Sequence, residues 1–295
     1  MLDDQGEQDA IRHPVSDDPP SRLNPQPARE QRLRILSYNI QVGIASSRFR
    51  HYLTHGWKHV LPYHGRQANL DAIAHFLSAF DLVGLQEVDA GSIRTHFVNQ
   101  AEYLAERAGF PHWTSQTNRN LGALAQHSLG LLSRFRPTHI AEHRLPGVIP
   151  GRGALEVHYG SNGDHLAVIL LHLSLGKKAR ARQLQYVGDL LADYEHVVVM
   201  GDLNTPPHSH ELRDLVRQTR LREPASEAHT YPSWQPARTF DHVLVTSELA
   251  VEKTHVYRVT YSDHLPVGVD VRLPEDLHLS VWGGDETQLL QGGQA

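Results

Sequence analysis

Polar residues that can bind a metal ion or move a proton follow the early apolar runs of this sequence. RILSYN, LVGLQE, LAVILLH and HVVVMGDLN each end on such residues, which are Asn39, Glu87, His172, Asp202 and Asn204. Any one of them taken alone is more often a turn residue or a helix cap. Their occurrence at successive strand ends favours a single shared site, because loops on a rigid scaffold commonly carry binding and catalysis.

Two late apolar runs show the reverse order, with the polar residues ahead of the run. Asp241 starts DHVLV, and the pair Asp263 and His264 precedes LPVGVDV. If these late strands run antiparallel to the early ones, their polar residues reach the same edge of the sheets. The pattern therefore predicts one cluster assembled from six segments of the chain.

The residue types in this cluster suit the hydrolysis of a phosphoester. Glu87 and Asp263 offer the hard oxygen ligands that Mg²⁺ or Mn²⁺ prefers. Asp202 and Asn204, two residues apart, can orient a water molecule and hold a phosphoryl oxygen.

The nitrogen-bearing residues of the cluster fit the same reaction. His264 can take a proton from water if Asp241 fixes its tautomer. Asn39 and His172 can donate to charge that develops on phosphate oxygens. Together the residues predict metal-assisted attack of water on a phosphoester.

Composition excludes several other kinds of protein. The chain has 295 residues, with 28 Lys and Arg against 33 Asp and Glu, 22 His and no Cys. Without cysteine there is no disulfide, thiolate nucleophile or cysteine-based metal site. The net charge of -5 argues against binding nucleic acid by bulk charge alone. For most of the histidines, a half-buried structural position is the expected role.

No apolar run approaches the roughly 18 residues of a membrane-spanning helix. The acidic start MLDDQGEQDA lacks the features of a signal peptide, so we expect a cytoplasmic protein, with peripheral membrane contact left open. Residues 1–31 are rich in proline and charge and predict a disordered or loosely held arm. Residues 32–275 predict one domain, and residues 276–295 predict a tail that packs on the body or stays loose.

The elements that must position the cluster alternate between strand and helix patterns. Strands are expected at Arg34–Tyr38, Leu82–Leu85, Gly130–Leu132, Ala154–His158, Leu166–Leu171, His196–Met200, Phe240–Val245 and Val267–Leu273. Helices are expected at Arg66–Phe80, Asn99–Ala108, Lys177–Tyr194 and Ser209–Thr219. This order predicts a layered α/β protein with a mixed sheet or two packed sheets.

The motifs in this order resemble the endonuclease/exonuclease/phosphatase superfamily, which has the DNase I-like fold. The resemblance is carried by SYNIQ, LQEVD, LLSR, HLSLG, GDLNTPP, FDHVLV and SDHLPV, and it covers nearly all of residues 32–275. It implies an α/β protein built as a two-sheet β-sandwich flanked by helices, in four layers. It also implies a divalent-metal phosphohydrolase, most often dependent on Mg²⁺.

The resemblance assigns a metal site and a phosphate site within the cluster. Glu87 would be the principal metal ligand, with Asn39 beside it contacting metal or phosphate. Asp263 would assist at the metal. Asp202 would position or activate the water, and Asn204 would bind the scissile phosphate.

The resemblance also assigns the histidines. His264 would be the general base or a transition-state donor, oriented by Asp241. His172 matches a histidine of the DNase, sphingomyelinase and inositol-phosphatase branches. The abasic-site endonuclease branch typically has a tyrosine motif there, which disfavours a role in DNA repair.

A narrower resemblance bears on the substrate. RGALEV, HLSLGKKARARQLQ and TYPSWQPARTFDHVLV are similar to a bacterial group that itself resembles the hydrolase-like domain of eukaryotic GPI-anchor lipid remodelling proteins. This similarity favours a lipid or small head-group phosphodiester as substrate. A Mg²⁺-dependent DNA or RNA endonuclease is the alternative, followed by a phosphate monoesterase and by a phosphate-binding module on an inactive scaffold.

Other basic segments could contact the substrate. The stretch between Ile44 and Arg66 interleaves basic and aromatic residues, and three histidines there have a helical spacing that weakly suggests a second metal site. The cluster Lys177, Lys178, Arg180 and Arg182 is expected to be a solvated helix face. Arg119, Arg134 and Arg152 lie near motif loops. Of these, Arg152 is the one that we expect to face a phosphate, because a guanidinium can bind two oxygens at once.

Overall fold

Two β-sheets pack face to face in the computed structural model of the chain. The structure describes residues 15–16, 31–43, 65–120, 126–147, 151–161, 164–224 and 228–280. A core of apolar side chains from both sheets fills the space between them. The two-sheet sandwich flanked by helices that the sequence predicts is therefore confirmed.

The first sheet runs in the order β1-β12-β13-β2-β3-β5-β4 within the described residues. Its strands are β1 (Val15–Ser16), β2 (Arg32–Asn39), β3 (Leu82–Asp89), β4 (His112–Asn120), β5 (Gln126–Ser133), β12 (Ala250–Tyr257) and β13 (Val267–Arg272). The second sheet runs in the order β10-β11-β9-β8-β7-β6. Its strands are β6 (His139–Arg144), β7 (Gly153–Ser161), β8 (Asp164–His172), β9 (His196–Asp202), β10 (Leu221–Arg222) and β11 (Asp241–Thr246).

Helices cover the outer face of each sheet. Helices α1 (Gly65–Leu77) and α2 (Gln100–Ala108) pack on the first sheet, and α3 (Lys177–Leu190) and α4 (His210–Gln218) pack on the second. Side-chain caps fix two helix starts, because Asn99 accepts from Ala101 N at 3.0 Å and Ser209 accepts from Leu212 N at 3.2 Å. None of the helices in the described ranges is long and apolar enough to cross a membrane.

The central strands are buried on both faces, as expected for strands between a second sheet and a helix layer. β9 is buried along its whole length, and β3 is buried except at Glu87. The sheets pack tightly at Gly84, where a Cβ atom would lie 2.7 Å from the side chains of Leu170 and Met200. A larger residue at this position would require the side chains of Leu170 and Met200 to move.

The strand directions bring the polar residues of the sequence to one edge. β2 is parallel to β3, and β8 is parallel to β9. β11 is antiparallel to β9, and β13 is antiparallel to β2. The ends of the early strands and the starts of the late strands therefore meet at the same edge of the sandwich.

Several edge strands were not expected from the sequence. β4 and β6 place many polar side chains toward solvent, so they lack the apolar runs that mark the central strands. β1, β10 and β12 were missed as well. Val15–Ser16 pairs with β12 in parallel, within the segment expected to be a loose arm. Leu277 and Leu279 are buried in the inter-sheet core, so the start of the predicted tail packs on the body.

Several of the many histidines have structural partners away from the sheet edge just described. The buried carboxylate of Glu156 on β7 accepts from His143 Nε2, His158 Nε2 and Tyr194 Oη, each at 2.6 Å. His165 stacks on His158 with ring centroids 4.5 Å apart. These contacts tie β6, β7 and β8 to the segment after α3.

Candidate active site

Three polar residues form one row across the second sheet, at the edge where its parallel strands end. His172 is the last residue of β8 and is in register with Asp202, the last residue of β9. Asp241 begins β11 and is in register with Asp202 from the other side. Neighbouring strands lie about 5 Å apart, so the backbone alone brings these side chains together. His172 Nε2 lies 3.6 Å from Asp202 Oδ2.

A glycine allows strands β8 and β9 to approach each other closely at this row of residues. Gly201 has a φ of 145°, and a Cβ atom there would lie 1.9 Å from the carbonyl oxygen of Leu171. Only glycine permits so close an approach of β8 and β9 immediately before Asp202.

His264 is held against this row by a buried carboxylate. Its Nδ1 donates to Asp241 Oδ2 at 2.8 Å, and its Nε2 lies 3.8 Å from Asp202 Oδ2. Burial opposes the charged imidazole, but the carboxylates of Asp241 and Asp202 raise the pKa of His264 well above its ordinary value. The ring of Tyr231 packs on His264 at 4.8 Å. His264 is thus held in a fixed orientation, with Nδ1 on Asp241 and Nε2 toward Asp202.

The first sheet contributes Asn39 and Glu87 to the same place. Asn39 Nδ2 donates to Glu87 Oε1 at 3.3 Å and to Asp202 Oδ2 at 3.2 Å, so this amide bridges the two sheets. Glu87 has a φ of 55° and lies at a register shift between Leu85 and Val88. Bulges commonly re-aim side chains beside active sites, and a non-glycine residue at positive φ costs free energy that the surroundings must supply.

Asn204 is held by a local turn. Its backbone N–H donates to Asp202 Oδ1 at 2.9 Å, and its side-chain amide donates to the carbonyl of Leu173 at 3.0 Å. Its φ of 51° is one that asparagine tolerates better than most residues. The turn fixes Asn204 next to Asp202, on the strand-end loop.

Asp263 lies beside Glu87 and is buried. Ser262 Oγ donates to Asp263 Oδ1 at 3.2 Å, and Ser233 N donates to the Asp263 carbonyl at 2.8 Å. Burial and the nearby carboxylate of Glu87 raise the pKa of Asp263 to about 6. The structure therefore brings together all eight residues of the predicted cluster.

The carboxylates of the site repel one another. Burial is the main cause that raises the pKa of Glu87, and the charge of Asp202 adds to it. Burial and the charge of Asp241 raise the pKa of Asp202 to about 6. Asp241 Oδ1 is buried without a hydrogen-bond partner among the described residues. Buried oxygen ligands with an excess of negative charge fit a hard divalent cation such as Mg²⁺.

One group of three residues has ligand atoms within 4.8 Å of one another in the described ranges, and its members are Asp202, Asp241 and His264. The metal ligands expected from the resemblance are Glu87, Asn39 and Asp263, which form a different set. In the first group, the hydrogen bond between His264 and Asp241 already uses one nitrogen and one oxygen. Each set therefore contains two carboxylates that could bind a metal ion, which are Asp202 and Asp241 in the first set and Glu87 and Asp263 in the second.

A cavity of about 810 Å³ opens beside Glu87 and His172. Arg152 lies in its wall, where burial lowers the pKa of the guanidinium while the charges of Glu87 and Asp202 raise it. Arg119 lines the same cavity. Arg134 does not, because its side chain donates to the carbonyls of Phe80 and Ser78 and has a structural role.

Three residues of the basic cluster at the start of α3 are exposed, as expected for a solvated face, and only Arg180 departs from that expectation. Lys177, Lys178 and Arg182 line the cavity. Arg180 is buried instead and pairs with Glu211 at 2.9 Å. The interleaved stretch between Ile44 and Arg66 lies outside the described residues except at its end, where Gly65 begins α1.

Two supporting groups were not predicted. Thr230 Oγ1 accepts from Phe240 N at 3.2 Å, and Ser233 Oγ donates to the Ser262 carbonyl at 2.6 Å, so residues 230–233 brace the Asp241 and His264 segments. Gln100 is buried and joins two site loops, accepting from Asp89 N and donating to the Val42 carbonyl, each at 2.9 Å. Ordinary polar residues such as these give no signal in one sequence.

Comparison with known proteins identifies the family of the chain. A sequence profile described as "Endonuclease/Exonuclease/phosphatase family" matches residues 36–264, which is more than half of the chain. No curated protein matches the sequence.

Solved structures with the same fold include three of different origin. An endonuclease/exonuclease/phosphatase from Beutenbergia cavernae is 23% identical with a TM-score of 0.64, over 82% of this chain and 72% of that chain. A mannosyl-6-phosphatase from Bacteroides thetaiotaomicron is 18% identical with a TM-score of 0.61, over 81% of this chain and 99% of that chain. The catalytic domain of human nocturnin is 17% identical with a TM-score of 0.60, over 86% of this chain and 100% of that chain. At these identities the likeness concerns the fold.

Proposed function

The chain belongs to the endonuclease/exonuclease/phosphatase family, whose members are hydrolases acting on phosphoesters, and we propose that it is a divalent-metal-dependent phosphodiesterase of a lipid or small head-group substrate. The observation that carries this proposal is the buried array of Asp241, His264 and Asp202 at a sheet edge that also presents Glu87. The similarity to the GPI-remodelling group remains a prediction and is the reason for favouring a head group.

In this proposal, His264 is the residue that handles the proton. With Nδ1 bonded to Asp241, only Nε2 faces Asp202 and the reacting atoms. It acts as a general base or donates a hydrogen bond to the transition state, and Asp241 keeps it in the required orientation. Asp202 positions or activates the attacking water. Its pKa of about 6 suits a group that must accept a proton near neutral pH.

Asn204, His172 and Arg152 would bind the phosphate. Burial, and to a lesser degree the charge of Arg152, lowers the pKa of His172 well below its ordinary value, so His172 is a neutral donor. Arg152 offers two parallel N–H groups to the phosphoryl oxygens. Such fixed donors stabilise charge that develops in the transition state.

Glu87, Asn39 and Asp263 would hold the metal ion, Mg²⁺ or Mn²⁺. When bound, that ion supplies Lewis-acid stabilisation of a phosphoryl oxygen. The Asn39 amide keeps Glu87 and Asp202 at a fixed separation by donating to both.

Three substrates given in parallel test the proposal and its alternatives. They are phospholipid diesters in vesicles, supercoiled plasmid, and the activated diester bis(4-nitrophenyl) phosphate, each with Mg²⁺ and with EDTA. The proposal predicts EDTA-sensitive hydrolysis of the activated diester and of vesicle lipid, with little nicking of plasmid. EDTA-sensitive nicking that falls steeply with salt, without lipid hydrolysis, would instead establish a nuclease.

A comparison of a phosphodiester with a phosphate monoester completes this test. A head-group phosphodiesterase should prefer the diester to 4-nitrophenyl phosphate, whereas a monoesterase should show the reverse preference. Weak, metal-independent phosphate binding without turnover of any substrate would contradict the proposal and indicate an inactive scaffold. His210→Ala, which changes an exposed histidine of α4, is the matched control for protein quality.

A further inference from the structure

Positive charge dominates the cavity beside the catalytic cluster. The cations that line it are Arg119, Arg152, Lys177, Lys178 and Arg182. Glu87 is the sole carboxylate among the described residues of the lining. A concave surface of one sign attracts ligands of the opposite sign, so this cavity favours an occupant with more than one negative charge.

These cations have no hydrogen-bond or ion-pair partner among the residues that the structure describes. In the ranges that the structure describes, none of the five makes a side-chain hydrogen bond or an ion pair. Arg180 on the same helix shows the contrast, because it is buried, pairs with Glu211 and also donates to the carbonyl of Leu175. Helix α3 thus uses Arg180 to hold itself in place and leaves its exposed cations facing the cavity.

The cations occupy two parts of the wall. Arg152 is the one whose charge is felt by Glu87 and His172, so it belongs to the reacting end. Lys178 and Arg182 are four residues apart and therefore lie one helical turn from each other on α3. The cations therefore form two groups, one at the catalytic residues and one along helix α3.

The size of the cavity agrees with a ligand longer than one phosphate. Its volume of about 810 Å³ falls in the range of pockets for whole small molecules. Leu129, Leu175 and Ala179 also line it, and Leu175 is 76% exposed. These apolar groups can cover a carbon skeleton between two anions.

We propose that the substrate carries a second phosphate in addition to the scissile one. Lys177, Lys178 and Arg182 bind the second phosphate, while the scissile phosphate meets Arg152 and His172. This inference rests on the proposed function, since it places the scissile phosphate at the catalytic cluster. It narrows the substrate class to small molecules or lipid head groups that are phosphorylated twice.

Calorimetric binding of matched sugar phosphates tests the second anion site. Fructose 1,6-bisphosphate and fructose 6-phosphate are titrated into wild-type protein and into Lys178→Gln/Arg182→Gln. The control is Arg213→Gln/Arg217→Gln, which removes the same charge at the same spacing on α4, away from the cavity. We expect the wild type to bind the bisphosphate at least about tenfold more tightly than the monophosphate.

The double variant on α3 should lose that preference, and the control should keep it. Equal affinity of the wild type for both sugar phosphates would overturn the proposal, as would an equal loss in both variants. Tight binding of a single-stranded oligonucleotide, without any preference between the sugar phosphates, would also overturn it in favour of a nucleic acid.

Vesicles distinguish the two sources of a doubly phosphorylated substrate. Phosphatidylinositol 4-phosphate and phosphatidylinositol are compared as substrates in the same phosphatidylcholine vesicles. A ratio of kcat/KM that favours the former and falls about tenfold in the α3 variant supports a lipid head group. The preference for the soluble bisphosphate without a preference in vesicles supports a soluble substrate.

These experiments distinguish failure of the proposed function from failure of the second anion site. Wild-type protein that binds the bisphosphate preferentially, yet hydrolyses no phosphoester with Mg²⁺, would refute the proposed function and leave the anion site standing. Mg²⁺-dependent hydrolysis of bis(4-nitrophenyl) phosphate with equal affinity for both sugar phosphates would refute the anion site alone.

Discussion

Replacing Asp241 by Asn removes the charge that holds His264 while keeping the shape of the side chain. Both side chains are buried, and His264 Nδ1 lies 2.8 Å from Asp241 Oδ2. With charge centres about 4 Å apart and an effective dielectric constant of about 20, the attraction amounts to about 4 kcal/mol. A neutral hydrogen bond to Asn retains about 1 kcal/mol of this.

The loss of about 3 kcal/mol corresponds to a decrease in kcat of about two orders of magnitude. Because Asp241 acts through His264 and does not contact the substrate in this account, KM should change little. The assay is the release of 4-nitrophenol from bis(4-nitrophenyl) phosphate at saturating Mg²⁺, with kcat and KM determined separately.

Glu223→Gln is the matched control for this variant. It removes the same charge from another carboxylate–histidine pair, in which Glu223 Oε1 lies 2.6 Å from Nδ1 of the buried His242. The control should keep its kcat. A decrease of less than about fivefold in Asp241→Asn, or an equal decrease in the control, would refute the positioning role of Asp241.

Three further predictions concern the scaffold. Gly201→Ala should lower the free energy of unfolding in urea by at least about 2 kcal/mol, because its Cβ would lie 1.9 Å from a backbone oxygen of β8; an unchanged midpoint would contradict this close approach. Arg180→Met should cost about 3 to 5 kcal/mol by leaving Glu211 buried without its partner, and a loss below about 1 kcal/mol in the same assay would show that the pair is dispensable. Burial opposes the charged form of His242, but the hydrogen bond to Glu223 raises the pKa of His242 above the unfolded value. The stabilisation that this pair provides is therefore complete below about pH 6.5 and disappears as the pH rises through the folded-state pKa. Urea unfolding at about pH 6 and about pH 9 should show this decrease in wild type and a smaller one in Glu223→Gln, and equal pH dependence in both would contradict it.

The sequence is sufficient to predict the central sheets and the sheet edge that carries the site. β9 contains the apolar run VVVM at residues 197–200 and ends at Asp202, so this carboxylate is expected at the end of the strand. Asp241, Asp263 and His264 are predicted at the same edge on the single assumption that the late strands are antiparallel to the early ones. The structure bears out this assumption. The choice of two packed sheets over one mixed sheet came from the family resemblance, because apolar runs do not specify which strands are neighbours.

Other features depend on tertiary contacts that no local pattern encodes. Lys178 and Arg182 have the spacing of a solvated helix face, and only the docking of α3 turns them toward a cavity. The positive φ of Glu87 arises at a bulge whose partner strand, β5, lies about 40 residues further along the chain. β6 has alternating exposure with few apolar residues and so resembles a loop in the sequence.

The roles of Glu87 and His264 are tested by the turnover of bis(4-nitrophenyl) phosphate as a function of Mg²⁺ concentration in three proteins. In wild type the rate should rise to saturation. In Glu87→Ala it should be lost at low Mg²⁺ and partly restored by excess Mg²⁺, whereas in His264→Ala it should be absent at every concentration. Near-normal turnover of His264→Ala would contradict the account, because another group would then have to handle the proton.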